Sequence, residues 1–187
     1  MFIIHEIQSA FLTLRLNRII FALSIVYRHI RKKDNLPLAR LIRSVFREFG
    51  ISRPGTVYTD PTTDDLYSLF KEPGSVYWVA EEDGNIVGGC GIFPTAGLPP
   101  GCAELVKLYL VPSKRGQGTG YELMRKSLRS ARRLGYDQIY LESLPELSRA
   151  ISLYKKAGFE FISAPLGNSG HYGCDIWMLK KFRKRNP

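Results

Sequence analysis

The ten residues Val111 to Gly120, VPSKRGQGTG, constrain this chain more than any other stretch. Gly116, Gly118 and Gly120 alternate behind the cations Lys114 and Arg115, after an apolar run and before a long helical pattern. Lacking Cβ atoms, such a backbone can approach a ligand closely and turn left-handed at little cost. Cations beside bare amides at a helix start suit an anion, phosphate above all. Two common nucleotide motifs do not fit. The spacing G-x-G-x-x-G fails at its third glycine, and the G-K-[ST] that closes a P-loop is absent.

With 187 residues the chain has the length of one domain with a sizeable core. Its net charge of +10 sits at the ends: residues 1–33 carry +5, residues 180–185 carry +5, and residues 34–179 sum to zero. Basic ends of this kind read as solvated tails, and no nucleic acid is expected as a partner. Within the neutral body, Lys114 to Arg133 holds seven cations and one Glu, which reads as an anion-seeking strip. The longest uncharged stretches near the start, Ile7 to Leu14 and Ile19 to Tyr27, are shorter than the ~18 residues a membrane span needs. No secretory signal is evident. Three scattered cysteines, Cys90, Cys102 and Cys174, make neither a disulfide framework nor a zinc site. A cytoplasmic location and no metal are expected. The chain divides into an N-terminal appendage (1–26), a domain (27–181) and a basic tail (182–187).

Periodicity places a short strand at Tyr27 to Arg31 and a helix capped by Asp34. The apolar face of that helix is Leu38, Leu41, Ile42, Val45, Phe46 and Phe49. A short helix at Thr63 to Phe70 precedes two strands, Ser75 to Ala80 and Ile86 to Phe93, joined by Glu82 to Asn85 as a hairpin. Cys102 to Val111 is the next strand. A helix then runs to Leu134 with Gly120, Met124, Leu128, Ala131 and Leu134 inward. Gln138 to Ser143 is a strand, Glu146 to Ala157 a helix, and Phe159 to Ile162 pairs with Asp175 to Leu179. The pattern is that of a mixed-sheet α/β or α+β domain.

Arg115-Gly116-Gln117-Gly118-Thr119-Gly120 matches R/Q-x-x-G-x-G/A and resembles the acetyl-CoA pyrophosphate loop of the GCN5-related N-acetyltransferases, the GNAT superfamily. The later block Leu153-Tyr154-Lys155-Lys156-Ala157-Gly158-Phe159 resembles that superfamily's LYxxxGF motif, and the likeness spans residues 27–181. It implies a GNAT-like fold: a central mixed, mostly antiparallel sheet of roughly six or seven strands flanked by helices, its central strands splayed. It also implies acetyl-CoA as cosubstrate. The amides of Gly116, Gln117, Gly118, Thr119 and Gly120 would take the pyrophosphate at a helix N-terminus, with Arg115 beside them. Gly118 would permit the approach and Gly120 the close packing of helix on sheet. Leu108, Leu110 and Val111 would offer backbone groups to the pantetheine arm, which can pair like an added strand.

Acyl transfer to a lysine-like amine needs a neutral nucleophile, and at pH 7 only roughly 0.04% of an amine of pKa ~10.4 is neutral. A base, desolvation or both must supply it. Glu104, on the strand before the loop, matches the carboxylate that serves as base in histone-acetylating relatives; a substrate-orienting Glu or a water chain are the alternatives. Tyr154 matches the tyrosine that protonates the leaving thiolate. Leu153 and Phe159 read as core. Leu147 stands where many relatives carry an Asn that holds the cofactor, with Ser148 and Arg149 as substitutes. Direct transfer in a ternary complex is expected over an acyl-cysteine. The acceptor is an amine of unspecified class; the glycine-rich loop Ala164 to Asp175 would shape its pocket, where His171 and Asp175 either contact the amine or cap the loop, and Asp60, Asp64 and Asp65 fit a cationic acceptor weakly. A homodimer is compatible with the pattern. The alternative class is a non-catalytic acyl-CoA-binding or nucleic-acid-associated module.

Overall fold

The computed structural model describes residues 25–183. The expected appendage lies almost wholly outside them, but Ile25 packs on the core and Val26 opens the first strand. Among the described residues there are seven strands: β1 (Val26–His29), β2 (Val76–Glu82), β3 (Asn85–Phe93), β4 (Cys102–Leu110), β5 (Gln138–Ser143), β6 (Glu160–Phe161) and β7 (Ile176–Lys181). The α-helices are α1 (Asn35–Glu48), α2 (Leu66–Leu69), α3 (Thr119–Arg133) and α4 (Ser148–Lys156). The strands form one sheet in the order β1-β2-β3-β4-β5-β7-β6. Every pairing is antiparallel except β4 with β5.

That one parallel pairing places the site. It joins only Cys102–Glu104 to Gln138–Tyr140, after which β4 and β5 diverge. The rest of β4, Leu105 to Leu110, faces a gap on the β5 side rather than a ladder.

Each sheet face has its own apolar layer. Leu38, Ile42 and Phe46 of α1 join Leu66, Tyr77, Val79 and Leu144 on one face. Leu123, Met124 and Ala131 of α3 join Ile92, Leu105, Ile139, Tyr154 and Phe159 on the other. A Cβ on Gly89 or Gly91 would stand 2.5 or 2.7 Å from the Tyr77 ring, so these two glycines of β3 admit that side chain. The hairpin turns on Asp83 and Gly84 alone, both at positive φ, tighter than the four-residue turn expected.

Four expectations are corrected. Leu134 is 45% exposed, because α3 ends at Arg133 and its buried face runs through Leu123, Met124, Ser127 and Ala131. Phe49, expected inward, follows the last turn of α1 and stacks under the Arg115 guanidinium. Asp34 makes no capping bond to α1; its carboxylate accepts from Arg28 and from the Arg31 amide. The expected helices at Thr63 to Phe70 and Glu146 to Ala157 each begin as a 3₁₀ turn, Pro61–Asp64 and Pro145–Leu147.

Candidate active site

β4 carries an extra residue relative to β3: Gly89 pairs with Tyr109 but Gly91 pairs with Val106. Lys107, inside this bulge, has φ +54°. Before the bulge Ala103 and Leu105 face the α3 layer; after it Leu108 and Leu110 do. The bulge therefore reverses the alternation. Lys107 thereby turns to the Glu104 face, where its buried ammonium donates to Asp60 Oδ2 at 2.6 Å and lies 3.5 Å from Thr63 Oγ1. The Tyr77 hydroxyl donates to the Lys107 carbonyl at 3.0 Å. No sequence signal announces this, since Lys107 fits neither the apolar alternation nor a motif.

A cavity of about 40 Å³ occupies the splay between β4 and β5, lined among others by Glu104, Lys107, Glu142, Tyr154, His171 and Cys174. Both predicted catalytic residues, Glu104 and Tyr154, thus meet at one cavity. Glu104 is 3% exposed and accepts from the Thr95 hydroxyl. Burial pushes its carboxyl up to about 7, and neighbouring Glu142 adds to the shift. Burial likewise raises the Tyr154 hydroxyl. His171 places Nε2 3.3 Å from Asp60 Oδ2. The Asp60 carboxyl, though partly desolvated, is held far below the usual range by His171 and Lys107. Asp175 stands apart, 3.6 Å from Arg53. Asp64 pairs with Arg43, and Asp65 accepts from Asn35 and the Ser68 amide. Of the acidic residues expected near an acceptor, only Asp60 reaches this network. Glu142, which the network needs, was not singled out from sequence; its place two residues beyond Tyr140, the partner of Glu104 in the ladder, becomes visible only once strand order is known.

A second cleft, of about 790 Å³, runs beside it. Leu108, Leu110, Arg115, Gly116, Gly118 and Gly120 line it, joined by Ser148, Arg149 and Leu153. Val111, Gln117 and Thr119 are not among its lining residues; Gln117 Nε2 donates to the Ser113 carbonyl, and the Thr119 side chain is buried. Gly118 occupies the N-cap of α3 at φ +85° with no side-chain capping bond, so the first-turn amides, which lack intrahelical acceptors in any α-helix, have no side-chain cap either. A Cβ at Gly116 or Gly118 would meet nothing within 4 Å, whereas one at Gly120 would stand 3.0 Å from Leu110 Cδ1. The loop glycines are therefore required by conformation and by approach from outside, and Gly120 by packing. An open, uncapped helix start at the end of a long cleft fits a pyrophosphate-bearing cosubstrate.

The cations of the strip are largely engaged within the chain. Lys114 pairs with Glu82, Arg125 and Lys126 with Glu122, and Arg132 stacks on Phe182. Arg115 donates to both Glu48 oxygens and to the Leu110 carbonyl. The anion-seeking reading of the strip is thereby reduced to its first turn.

Leu108, Tyr109 and Leu147 line both spaces, so cavity and cleft adjoin where a chain lying in the cleft would end. Leu147 is part of that partition.

Comparison with known proteins agrees with this architecture. Residues 39–159 match the model of the Acetyltransferase (GNAT) family. The uncharacterized N-acetyltransferase YjgM of Escherichia coli K12 is 40% identical over 157 residues, covering 83% of this chain and 94% of YjgM. A GNAT-family acetyltransferase from Staphylococcus aureus Mu50 superposes with a TM-score of 0.77 at 20% identity, covering 86% of this chain and all (100%) of that one. The PaiA N-acetyltransferase of Thermoplasma acidophilum, solved with coenzyme A, superposes with a TM-score of 0.67 at 19% identity, covering 86% of this chain and 100% of that one. The chain belongs to the GNAT family of acetyltransferases and is an acyltransferase.

Proposed function

We propose that this enzyme moves an acetyl group from acetyl-CoA to a primary amine by direct transfer within a ternary complex. The observation that carries the reading is the shared wall of Leu108, Tyr109 and Leu147, which puts the end of the cleft against the cavity of Glu104 and Tyr154. Gly116, Gly118 and the first amides of α3 hold the pyrophosphate, and the β4 edge at Leu108 and Leu110 orients the arm. When bound there, acetyl-CoA supplies an activated acyl group and a thiolate leaving group. Glu104 takes a proton from the acceptor nitrogen, whose lone pair is then free to attack. Tyr154 donates its hydroxyl proton to the departing sulfur and is restored by the second proton that the acylated nitrogen sheds.

A carboxyl near 7 suits this proton transfer, since at neutral pH a large fraction is ionised, yet basic enough to accept a proton. The cysteines are unsuited to carry the acyl group. Burial pushes Cys174, at the cavity, up to about 12, Cys90 to about 12 and Cys102 to about 11, while an acyl-cysteine route needs a thiolate.

The test is incubation with acetyl-CoA and a panel of primary amines, following free CoA and acetylated product by mass spectrometry. Product should accumulate in step with CoA and depend on Tyr154. No product with any amine class, together with residual thioester cleavage unchanged in Tyr154→Phe, overturns the reading.

A further inference from the structure

The reaction above does not account for the polar end of the Glu104 cavity. Glu104, Glu142 and His171 each present an acceptor atom there, all within 4.8 Å of one another. They come from β4, β5 and the loop before β7, and hydrogen bonds fix the second and third. Glu142 accepts from the Tyr140 hydroxyl on one oxygen and from the Ser169 hydroxyl on the other, each at 2.8 Å. Ser169 in turn accepts from the His171 amide at 3.0 Å, tying the loop to the strand. The His171 ring is set by Asp60, 3.3 Å from Nε2, and Asp60 is set by Lys107 at 2.6 Å. An ionised Asp60 can only accept, so Nε2 carries a proton; in the neutral ring Nδ1 is then a bare lone pair. That lone pair lies 4.0 Å from Glu142 Oε2. With Glu104 ionised and the ring neutral, three acceptors converge with no donor among them.

We propose that Glu104, Glu142 and His171 Nδ1 form a three-point cage for a protonated primary amine, each receiving one N–H of the ammonium before transfer. The role in transfer rests on the acyl-transfer reading; the cage itself is a binding property that needs no acetyl-CoA. Size selects the occupant. The three ligand atoms lie within 4.8 Å of one another and Glu142 Oε2 stands 4.0 Å from His171 Nδ1, so a nitrogen set above their centre can stand about 2.8 Å from each, a hydrogen-bond distance for an N–H donor. Zinc would need ligands at about 2.0–2.2 Å. A cavity of about 40 Å³ admits only a slender head, so the acceptor class is an unbranched primary amine. N-methylation would remove one of three donors and set a methyl group against a carboxylate or the bare nitrogen. Asp60 and Lys107 are positioning residues, holding the ring so that its lone pair faces inward.

Protein labelled with ¹⁵N-histidine is titrated near neutral pH with n-butylamine, N-methylbutylamine or zinc chloride, without acetyl-CoA. The chain has 3 histidines, and the His171→Gln variant identifies the His171 ring signals. n-Butylamine should shift the His171 Nδ1 signal saturably. N-methylation, and separately Glu142→Gln, should each raise the half-saturating concentration by about tenfold or more, the worth of one charge-assisted hydrogen bond. Asp60→Asn should alter the ring's tautomer balance while circular dichroism stays unchanged. No saturable shift with n-butylamine, or an equal response to N-methylbutylamine, overturns the cage. So does binding of zinc alone, which would make the cluster a metal centre. Thioester cleavage is followed in parallel. Cleavage without the amine-induced shift removes the cage and leaves acyl transfer standing; the shift without cleavage or transfer does the reverse.

Discussion

Folding takes the Glu104 carboxyl from water to a site with 3% exposure and moves its pKa from 4.5 to about 7. A carboxyl whose folded pKa lies above its unfolded value binds more protons in the folded state. Stability is therefore lost as pH rises from about 4.5 to about 7, in all about 3 kcal/mol. Glu104→Gln, which keeps an acceptor for Thr95 but carries no charge, should be more stable than the parent at pH 8 by up to about 3 kcal/mol. Near pH 4 the two should differ little, and paired urea titrations at the two pH values check the difference. The same variant should lose about 10²- to 10⁴-fold in kcat/KM, while the parent's rate climbs through about pH 7. Tyr154 offers a cleaner separation of roles. Among the described residues its hydroxyl donates to no protein group, so Tyr154→Phe should leave thermal stability within about 0.5 kcal/mol and lower kcat about a hundredfold. A fall in stability with kcat intact would instead make Tyr154 a packing residue.

At the scale of elements, the glycine loop and the β4 bulge place the chemistry. Gly118→Val faces no steric obstacle in the protein itself, since a Cβ there meets nothing within 4 Å. Its cost is the left-handed backbone, about 1–2 kcal/mol, together with a side chain standing where the pyrophosphate would approach. Acetyl-CoA affinity should fall by more than about tenfold, because each amide-to-phosphate bond is worth about 1.5–3 kcal/mol. Isothermal titration on the folded variant decides it, and unchanged affinity removes the loop as the cofactor cradle. Arg115 acts differently from an exposed cation, since its guanidinium braces the Leu110 carbonyl and Glu48. At the bulge, Lys107→Met leaves Asp60 without its ammonium in a largely buried site. Breaking such a pair costs about 3–5 kcal/mol, and the bonds Asp60 keeps to His171 and Thr62 put this case at the low end. The double variant Lys107→Met with Asp60→Asn should recover part of that loss in urea unfolding. No recovery would assign the cost to the bulge backbone rather than to charge.

For the whole molecule, the described chain opens at Ile25, which packs on the α3 layer, and Val26, where β1 begins. A chain beginning at Ile25 should fold with the full protein's far-ultraviolet dichroism and bind acetyl-CoA as tightly, since no described residue of cavity or cleft lies before Val45. Aggregation of that chain, or weaker binding, would make the preceding segment part of the working domain. No described helix is long and apolar enough to cross a membrane.

What the sequence by itself determined is local. Alternation and helical spacing located β2 through β5, α1 and α3 to within a few residues, because each buries one face against a neighbour and writes that face into its period. The glycine loop and LYxxxGF block identified the family, since a left-handed N-cap and a close helix-to-sheet contact leave few residues to choose from. Tertiary structure decided the rest. Lys107 is an ordinary strand lysine in sequence and becomes a buried partner of Asp60 only because one extra residue in β4 reverses its face. Glu142 and His171 lie 38 and 67 positions beyond Glu104; the glycine-rich loop marked His171 as a pocket residue, while Glu142 carries no local signal of its role. They meet at one cavity because β4 and β5 pair for three residues and then part. Where two strands stop bonding is set by the twist and packing of the whole sheet, not by the residues at the fork.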